Sequence, residues 1–526
     1  MVGTTGRIRI FYDGNIYLKF DPITRVQAIV SQGERIVFSG TSEEAMRKYA
    51  GKADSMVNLN GQTVFPGFVD SHLHLDDLGN SLNFLDIRNT HSIREMQERV
   101  ADYRRKNPGA RVVVGMGWDQ ESFSEGRWPD RWDIDEVESS VPVFLERFCE
   151  HAGVINSKML DLMGPAKFPE KIFPSTENGE ISGIVKEEAA SFFKGIALRL
   201  GGDLERNLVS GARYLASLGV TTIGFVSCGT DSLEVLSARK EVVKIRTRAY
   251  LKMEIGEEIE SLRQKFQDGS YLAINGIKLF ADGALGARTA ALREPYDDDP
   301  GNKGILYLDS QRLRDILQKS KGKKVQFAIH AIGDEGIDAV IDAISSLERN
   351  AVLVPRIEHC TVLRGDQVER LKTLGIGVSV QPAFVLDDWW AVKRLGRERS
   401  KTAYPLGTLV RERIEVGIST DSPVASPNPW FTIDAAVNRG EREKREILDY
   451  SPQERVDLAC ALHLYTKGSA ALLMDKDAGS LETGKFADFI ILNADAFDVH
   501  DLKEIRVRET YVGGELVFTD GNINGT

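Results

Sequence analysis

The sequence has few cysteines, few histidines and no long apolar run. Its four cysteines form no CxxC pair, which argues against a thiolate zinc site and against a disulfide framework. No apolar run approaches the roughly 20 residues that a membrane-spanning helix needs. The opening residues, MVGTTGRIRIFYDG, lack the apolar core of a secretory signal. We therefore expect a cytoplasmic protein.

An excess of positive charge is also missing. The formal net charge is −11, with 67 Lys and Arg residues against 78 Asp and Glu residues. This balance argues against a nucleic-acid-binding surface and against an anionic membrane as partner. The composition, 42% hydrophobic and 28% charged, is typical of a globular protein. We expect a small-molecule substrate, and a homodimer is compatible with the sequence.

Three familiar catalytic motifs are absent as well. The chain contains no GxxxxGK[ST] loop, no HExxH pair and no GxSxG elbow. These absences argue against a P-loop nucleotide-binding protein, a zincin-type protease and a serine hydrolase of the elbow type.

Both ends of the chain show short strands broken by turns. Examples are the runs at 35–38 and at 509–518, each followed or interrupted by glycine. Because the two ends share this pattern and the middle does not, we predict one small discontinuous β-sandwich domain built from 1–62 and 475–526.

The region between them, 63–474, alternates strand and helix patterns. Near-continuous apolar strands such as 275–280 and 325–330 recur along it. Repeated units of this kind are typical of a parallel sheet, and about eight of them close a (β/α)₈ TIM barrel. The stretch at about 104–205 is richer in charge and tryptophan and does not fit one such unit. We predict that it is an inserted subdomain.

The most informative residues stand at or near the ends of predicted strands. His72 and His74 end the first strand of the middle region, and because side chains alternate along a strand, both point to the same side. In a (β/α)₈ barrel the carboxyl ends of the strands meet at one mouth. Imidazoles and carboxylates with open positions suit zinc or a similar divalent ion, which lowers the pKa of bound water to about 7. The residues in this pattern are His72, His74, Lys278, His330, His359 and Asp421.

Each of these residues taken alone also has a structural interpretation. A single strand-end histidine such as His359 often only forms hydrogen bonds. Lys278 could extend its ammonium group to solvent, and Asp421 could cap a helix or form an Asx turn. Their occurrence together, in the order of the strands, favours a metal site.

Several segments spread over nearly the whole chain carry a family pattern. They are 63–74, 115–119, 151–157, 276–290, 330–334, 356–359, 379–382, 419–424 and 479–488. In these segments the sequence resembles the amidohydrolase superfamily. The resemblance is to its YtcJ-like metal-dependent branch (amidohydrolase 3 type), which includes N-substituted formamide deformylase.

The resemblance implies a (β/α)₈ barrel beside a small β-sandwich, and one or two divalent ions, zinc before others. At the matching positions His72 and His74 would bind the more buried ion, and His330 and His359 the second. Lys278 lies where related subtypes carry a carbamylated lysine that bridges both ions. As a carbamate it would be an anionic oxygen ligand, whereas an ammonium beside two cations is electrostatically poor. A single-metal site without the carbamate stays open.

The resemblance also implies an activity, hydrolysis of amide-type C–N bonds other than peptide bonds by a metal-bound hydroxide. Asp421 would contact the metal and its water, take the proton of that water and pass it to the leaving nitrogen. Two alternatives stay open. One is deamination of a ring substrate, which Lys278 disfavours; the other is a non-catalytic regulatory relative, which would have no use for the full ligand set.

Substrate contacts are sought among polar and aromatic residues near the mouth. Trp118, Asp119 and His151 lie in the predicted insertion, and Arg288 and Gln381 follow barrel strands. His151 could donate a hydrogen bond to a substrate carbonyl oxygen or be structural, and tryptophans more often simply pack.

Three aspartates lie close to the first two histidines. Asp70, two residues before His72 on the same face, is the candidate for hydrogen-bond support of a ligand. Asp76 and Asp77 follow the strand, and we expect them in a loop.

Overall fold

A computed structural model of the chain describes residues 6–147, 152–162, 179–186, 188–201, 203–253, 259–347, 353 and 355–521. The chain divides into two compact units. The first consists of 1–77 and 208–526, and the second of 78–207. The helices Leu75–Asn83 and Leu204–Ser217 lie at the two sequence boundaries between them.

The first unit contains a barrel of eight parallel strands, each paired with the next along the chain. The strands are buried almost throughout, as expected for a parallel sheet that is covered on both faces. This confirms the predicted (β/α)₈ barrel. In chain order they are β1 (Phe68–Leu73), β2 (Val220–Cys228), β3 (Arg246–Leu251), β4 (Leu272–Phe280), β5 (Gln326–Ala331), β6 (Arg356–His359), β7 (Gly377–Val380) and β8 (Val416–Ile418).

Backbone hydrogen bonds join the first and last strands just beyond their ends. The N–H of Asp421 donates to the carbonyl oxygen of His72 at 2.8 Å, and the N–H of His74 donates to Ser422 at 2.9 Å. The barrel is therefore held together at its mouth by the same residues that were predicted to form the site.

Helices follow most of the barrel strands. The helix that runs from Ser310 to Lys319 shows why they begin where they do, since the side chain of Asp309 accepts a hydrogen bond from the backbone N–H of Arg312. The helices of this unit are Ser42–Tyr49, Thr230–Ala238, Ile259–Phe266, Ser310–Lys319, Asp334–Ser345, Gly365–Leu374, Phe384–Asp387, Ala391–Ser400, Leu406–Arg411, Pro429–Asn438, Ile447–Tyr450, Leu458–His463 and Ser469–Leu472.

Two further sheets of the first unit form a small β-sandwich from both ends of the chain, as predicted. Phe11, Phe489 and Tyr511 pack in its core, with ring centroids 4.5–5.1 Å apart. The residue boundaries given above for the domains stay a prediction. One sheet has the order Arg35–Gly40, Ala28–Gln32, Ile8–Tyr12, Ser55–Asn58, and the other Glu515–Thr519, Val507–Val512, Phe489–Leu492, Thr63–Pro66, Asn15–Phe20, Ile23–Val26.

The second unit follows β1 in sequence and has its own mixed sheet and core. Trp118 is fully buried there and packs against Phe123 and Trp128. The sheet order is Ile184–Lys186, Ala152–Ile155, Val143–Arg147, Val113–Trp118, Leu85–Asp86, and the helices are Ile93–Lys106, Arg131–Asp135, Ser157–Asp161 and Glu188–Gly201. In the part of the chain that the structure describes, no helix combines the length and the apolar character needed to cross a membrane.

Candidate metal centre

The residues of the strand-end pattern meet at the mouth of the barrel. His72 lies in β1, Lys278 in β4, His330 in β5 and His359 in β6, and Asp421 follows β8 by three positions. All five are buried, and His74, just beyond β1, is half-buried. Buried charged and imidazole groups are costly unless they are paired or bind a cation, so this cluster needs a physical reason.

The distances show how tightly the cluster is assembled. One potential ligand atom from each of His72, His359 and Asp421 lies within 4.8 Å of the other two. The Nε2 atoms of His72 and His74 are each 3.2 Å from Oδ1 of Asp421. The rings of His330 and His359 are 4.5 Å apart between centroids. The imidazoles of His72 and His74 thus face the carboxylate of Asp421, and the rings of His359 and His330 lie next to them.

This donor set fits a divalent cation. Burial lowers the pKa of His330 to about 3 and holds the pKa of His359 well below its usual value, so both are in the neutral form that binds metals. Burial opposes ionisation of Asp421, but the neighbouring imidazoles of His72 and His74 outweigh it and hold its pKa well below the usual range. Nitrogen donors and one anionic oxygen are the ligands that zinc and similar ions prefer.

Lys278 is the least satisfied member of the cluster. Its side chain is 3% exposed, and in the part of the chain that the structure describes its Nζ has no hydrogen-bond partner. Burial lowers its pKa to about 8. A buried amine without a hydrogen-bond partner among the described residues fits a site that binds a further group.

Arg356 and Glu358 set the orientation of His72, a role that the sequence analysis missed. Nδ1 of His72 lies 2.5 Å from Oε2 of Glu358, while Nε of Arg356 donates to Oε1 of Glu358 at 2.6 Å. A second guanidinium nitrogen donates to the carbonyl oxygen of Ser71 at 2.9 Å. Burial alone would raise the pKa of Glu358, but Arg356 and His72 outweigh it and lower that pKa far below its usual value. The ionised carboxylate therefore leaves Nε2 of His72 free for a ligand role.

His330 and His359 are oriented in the same manner. Nδ1 of His359 lies 2.8 Å from Oε1 of Gln381, whose amide nitrogen donates to Ser419 at 2.8 Å. Nε2 of His330 lies 3.0 Å from the carbonyl oxygen of Gly283. Nδ1 of His330 and Nε2 of His359 are thus the nitrogens left for a cation.

A model described as "Amidohydrolase family" matches residues 55–518. The chain belongs to the amidohydrolase family. It is 39% identical, with a TM-score of 0.81, to an uncharacterized metal-dependent hydrolase from Pyrococcus furiosus, over 93% of this chain and 99% of that one. It is 29% identical to "Putative amidohydrolase YtcJ" of Bacillus subtilis (97% and 99% covered) and 27% identical to N-substituted formamide deformylase of Arthrobacter pascens (94% and 95% covered).

Asp70 of this amidohydrolase supports the site through the backbone. Its carboxylate is fully buried and accepts hydrogen bonds from the N–H of His72 at 3.1 Å, from the hydroxyl of Thr420 at 2.7 Å and from the hydroxyl of Tyr465 at 3.0 Å. It therefore ties the end of β1 to the residue before Asp421. The φ angle of Asp421 is 55°, a left-handed conformation that costs energy in an L-residue and is typical of functional sites.

The predicted substrate contacts have other partners in the structure. Gln381 contacts His359, as described above, and Arg288 forms a two-pronged ion pair with Asp298 at 2.7 and 3.0 Å. His151 lies outside the described residues. The substrate roles of these residues stay predictions.

Trp118 and Asp119 belong to the second unit of the amidohydrolase. Nε1 of Trp118 donates to the carbonyl oxygen of Leu145 at 2.9 Å, and Asp119 pairs with Arg147 at 3.1 Å. Their substrate roles also stay predictions.

Asp76 and Asp77 were predicted to lie in a loop, and this was wrong. They occupy the first turn of the helix Leu75–Asn83, where negative charge is favourable because of the helix dipole.

Proposed function

We propose that this amidohydrolase is a metal-dependent hydrolase of amide-type C–N bonds other than peptide bonds. The observation that carries the proposal is the convergence of imidazoles, one carboxylate and a buried lysine at the strand ends of the barrel, the lysine having no hydrogen-bond partner among the described residues. A relative whose name describes a deformylase of N-substituted formamides supports the bond type. We further propose a cytoplasmic location and no nucleic-acid or membrane partner.

The residues that would hold one or two ions, zinc in our proposal, are His72, His74, Lys278, His330, His359 and Asp421. An ion bound there would supply a Lewis acid that polarises the substrate carbonyl and makes water more acidic. Lys278 would bind as a carbamate: its neutral amine forms an N–C bond to carbon dioxide and loses one proton to solvent. Burial favours the neutral amine that this addition needs.

Asp421 performs the proton transfers in this proposal. Its Oδ1 lies 3.2 Å from Nε2 of His72 and 3.2 Å from Nε2 of His74. The low pKa of this carboxylate keeps it ionised at neutral pH, so it can accept a proton from the attacking water. It then gives that proton to the leaving nitrogen. Glu358 and Gln381 keep the imidazoles from rotating during these steps.

Metal analysis combined with a turnover screen tests the proposal. We expect one or two zinc ions per chain and hydrolysis of N-substituted formamides or N-acyl compounds. Asp421→Asn should keep most of the metal and lose most of the turnover, and substantial activity in this variant would contradict the role of Asp421. Release of ammonia from an aminated ring would favour a deaminase, and tight binding of a protein without any turnover would favour a regulatory relative.

A further inference from the structure

A groove beside the candidate metal centre has no role in the proposal above. It is lined by residues at the ends of β3 and β4, by Tyr307 and Leu308, and by the helix Ser310–Lys319. Its volume is about 880 Å³, and it opens to solvent. The groove borders the candidate metal centre through Phe280, one of its lining residues, because the ring of Phe280 lies 5.4 Å from the ring of His330 and 5.0 Å from Nζ of Lys278.

The part of the groove near Lys278 is apolar and exposes two aromatic rings. Phe280, at the end of β4, is 40% exposed, and Tyr307 is 46% exposed. Leu279, Leu308 and Ile316 extend the same surface. Large aromatic side chains left open to water beside a catalytic centre are typical of a binding site, since a ligand that covers them removes apolar area from water.

The rim of the groove carries positive charge. Lys252, Arg312 and Lys319 line it, all three are exposed, and within the described ranges none of them forms an ion pair. Asp315 is the one carboxylate among the lining residues that the structure describes, and it accepts a hydrogen bond from Gln311. The described lining residues thus carry an excess of positive charge, whereas the chain as a whole has a net charge of −11. Such a rim attracts anions.

We propose that the groove binds the part of the substrate remote from the scissile bond, and that this part is an apolar group of aromatic size ending in an anion such as a carboxylate. The apolar group covers Phe280 and Tyr307, and the anion is bound by Arg312 and Lys319. The inference rests on the proposed function and narrows it to amide-type compounds that carry a carboxylate, such as N-formyl or N-acyl derivatives of apolar amino acids.

A binding experiment tests the groove without relying on turnover. The probes are 3-phenylpropane-1-sulfonate and the uncharged 3-phenylpropan-1-ol, titrated by calorimetry into the zinc-loaded full-length chain. A sulfonate is chosen because it is a poorer ligand for metal ions than a carboxylate. We expect the sulfonate to bind about fivefold or more tightly than the alcohol, and this preference should shrink as salt is added.

The variant Arg312→Gln/Lys319→Gln should abolish the preference for the sulfonate. The matched control is Lys265→Gln/Lys372→Gln, which also removes two positive charges but acts at surface ion pairs with Glu234 and Glu412. Both variants have the same net charge, so a difference between them reports the groove and not the overall field. Equal affinity for sulfonate and alcohol, or a preference that survives the groove variant, overturns the inference.

Turnover separates this inference from the proposed function. With N-formylphenylalanine and its uncharged methyl ester, we expect the groove variant to raise KM for the acid and leave KM for the ester unchanged. If neither compound nor any other amide is hydrolysed while the sulfonate preference holds, the proposed function fails and the anion site stands. If both are hydrolysed equally well and the groove variant changes neither, the function stands and the groove inference fails.

Discussion

Nδ1 of His72 and Oε2 of Glu358 lie 2.5 Å apart, although β1 and β6 are not neighbours in the barrel. This contact crosses the barrel interior and fixes which imidazole nitrogen faces Asp421. Replacing Glu358 by Gln removes the negative charge that holds the ring, so we expect the affinity for zinc to fall about 10- to 100-fold. Competition with a chelator of known affinity measures it.

The control for Glu358→Gln is Glu369→Gln, an exposed carboxylate on the helix Gly365–Leu374. Circular dichroism at the temperature of the metal titration shows whether each variant is folded. A folded Glu358→Gln chain that binds zinc as tightly as the parent would show that the ring needs no such support.

Asp282 should position the segment that follows β5. Its carboxylate is fully buried and accepts backbone hydrogen bonds from Ala291, Ile332 and Gly333 at 2.8–2.9 Å. An asparagine side chain at this position has only one acceptor oxygen, and its NH2 group would face a backbone N–H that needs an acceptor. Asp282→Asn should therefore lower the free energy of unfolding by about 1–3 kcal/mol, measured by urea denaturation.

Asp309→Asn is the matched control for that change. Asp309 accepts a backbone hydrogen bond at the start of a helix, a position where asparagine serves as well as aspartate. A similar small effect in both variants would mean that Asp282 does not hold the segment.

The buried pair of Arg246 and Asp488 should matter for stability and not for the metal centre. Arg246, in β3, is fully buried, pairs with Asp488 at 2.6 Å and stacks on the ring of Phe486 at 3.6 Å. Arg246→Met leaves the carboxylate buried without its partner, so we expect a loss of about 3–5 kcal/mol in urea unfolding. Adding Asp488→Asn should restore part of it, and a loss as large in the double variant as in the single one would contradict this explanation.

Asp388 should make stability depend on pH. Burial raises its pKa to about 6, although the hydroxyl of Tyr404 donates to it at 2.7 Å. The folded protein therefore holds this proton more tightly than the unfolded chain, and the stability that it contributes is lost as the pH rises through about 6. The asparagine of Asp388→Asn has no such proton to lose, so this pH-dependent loss of stability is absent from the variant. The variant should gain about 1–3 kcal/mol relative to the parent between pH 5 and pH 8, measured by urea unfolding. A pH-independent difference would contradict the prediction.

The barrel and the position of the metal-capable residues could be predicted from the sequence, because strand periodicity and strand ends are local features. His72 and His74 stand two apart at the end of an apolar run, and that spacing alone places both on one side of a strand. The helix that contains Asp76 and Asp77, which were wrongly predicted to lie in a loop, has a signal in the sequence. Leu75, Leu78 and Leu82 recur at helical spacing.

The supporting hydrogen bonds could not be predicted in the same way. Arg356 and Glu358 are charged residues inside a buried strand, and the sequence does not say which side chain across the barrel satisfies them. Two of the three partners of Asp282, Ile332 and Gly333, lie 50 and 51 positions further along the chain, so no local pattern links them to it. Such contacts depend on the three-dimensional closure of the barrel.

That closure has a consequence for the order of events during synthesis. The hydrogen bond between the hydroxyl of Thr420 and the carboxylate of Asp70 joins residues 350 positions apart. Asp70 lies in β1 and Thr420 follows β8 by two positions, and these two strands meet only when the ring of strands is complete. A nascent chain from which Asp421 has not yet emerged from the ribosome holds His72 and His74 but lacks the carboxylate that faces them. High-affinity metal uptake should therefore begin late in translation, and it would serve as a chemical signal that the last strand has docked.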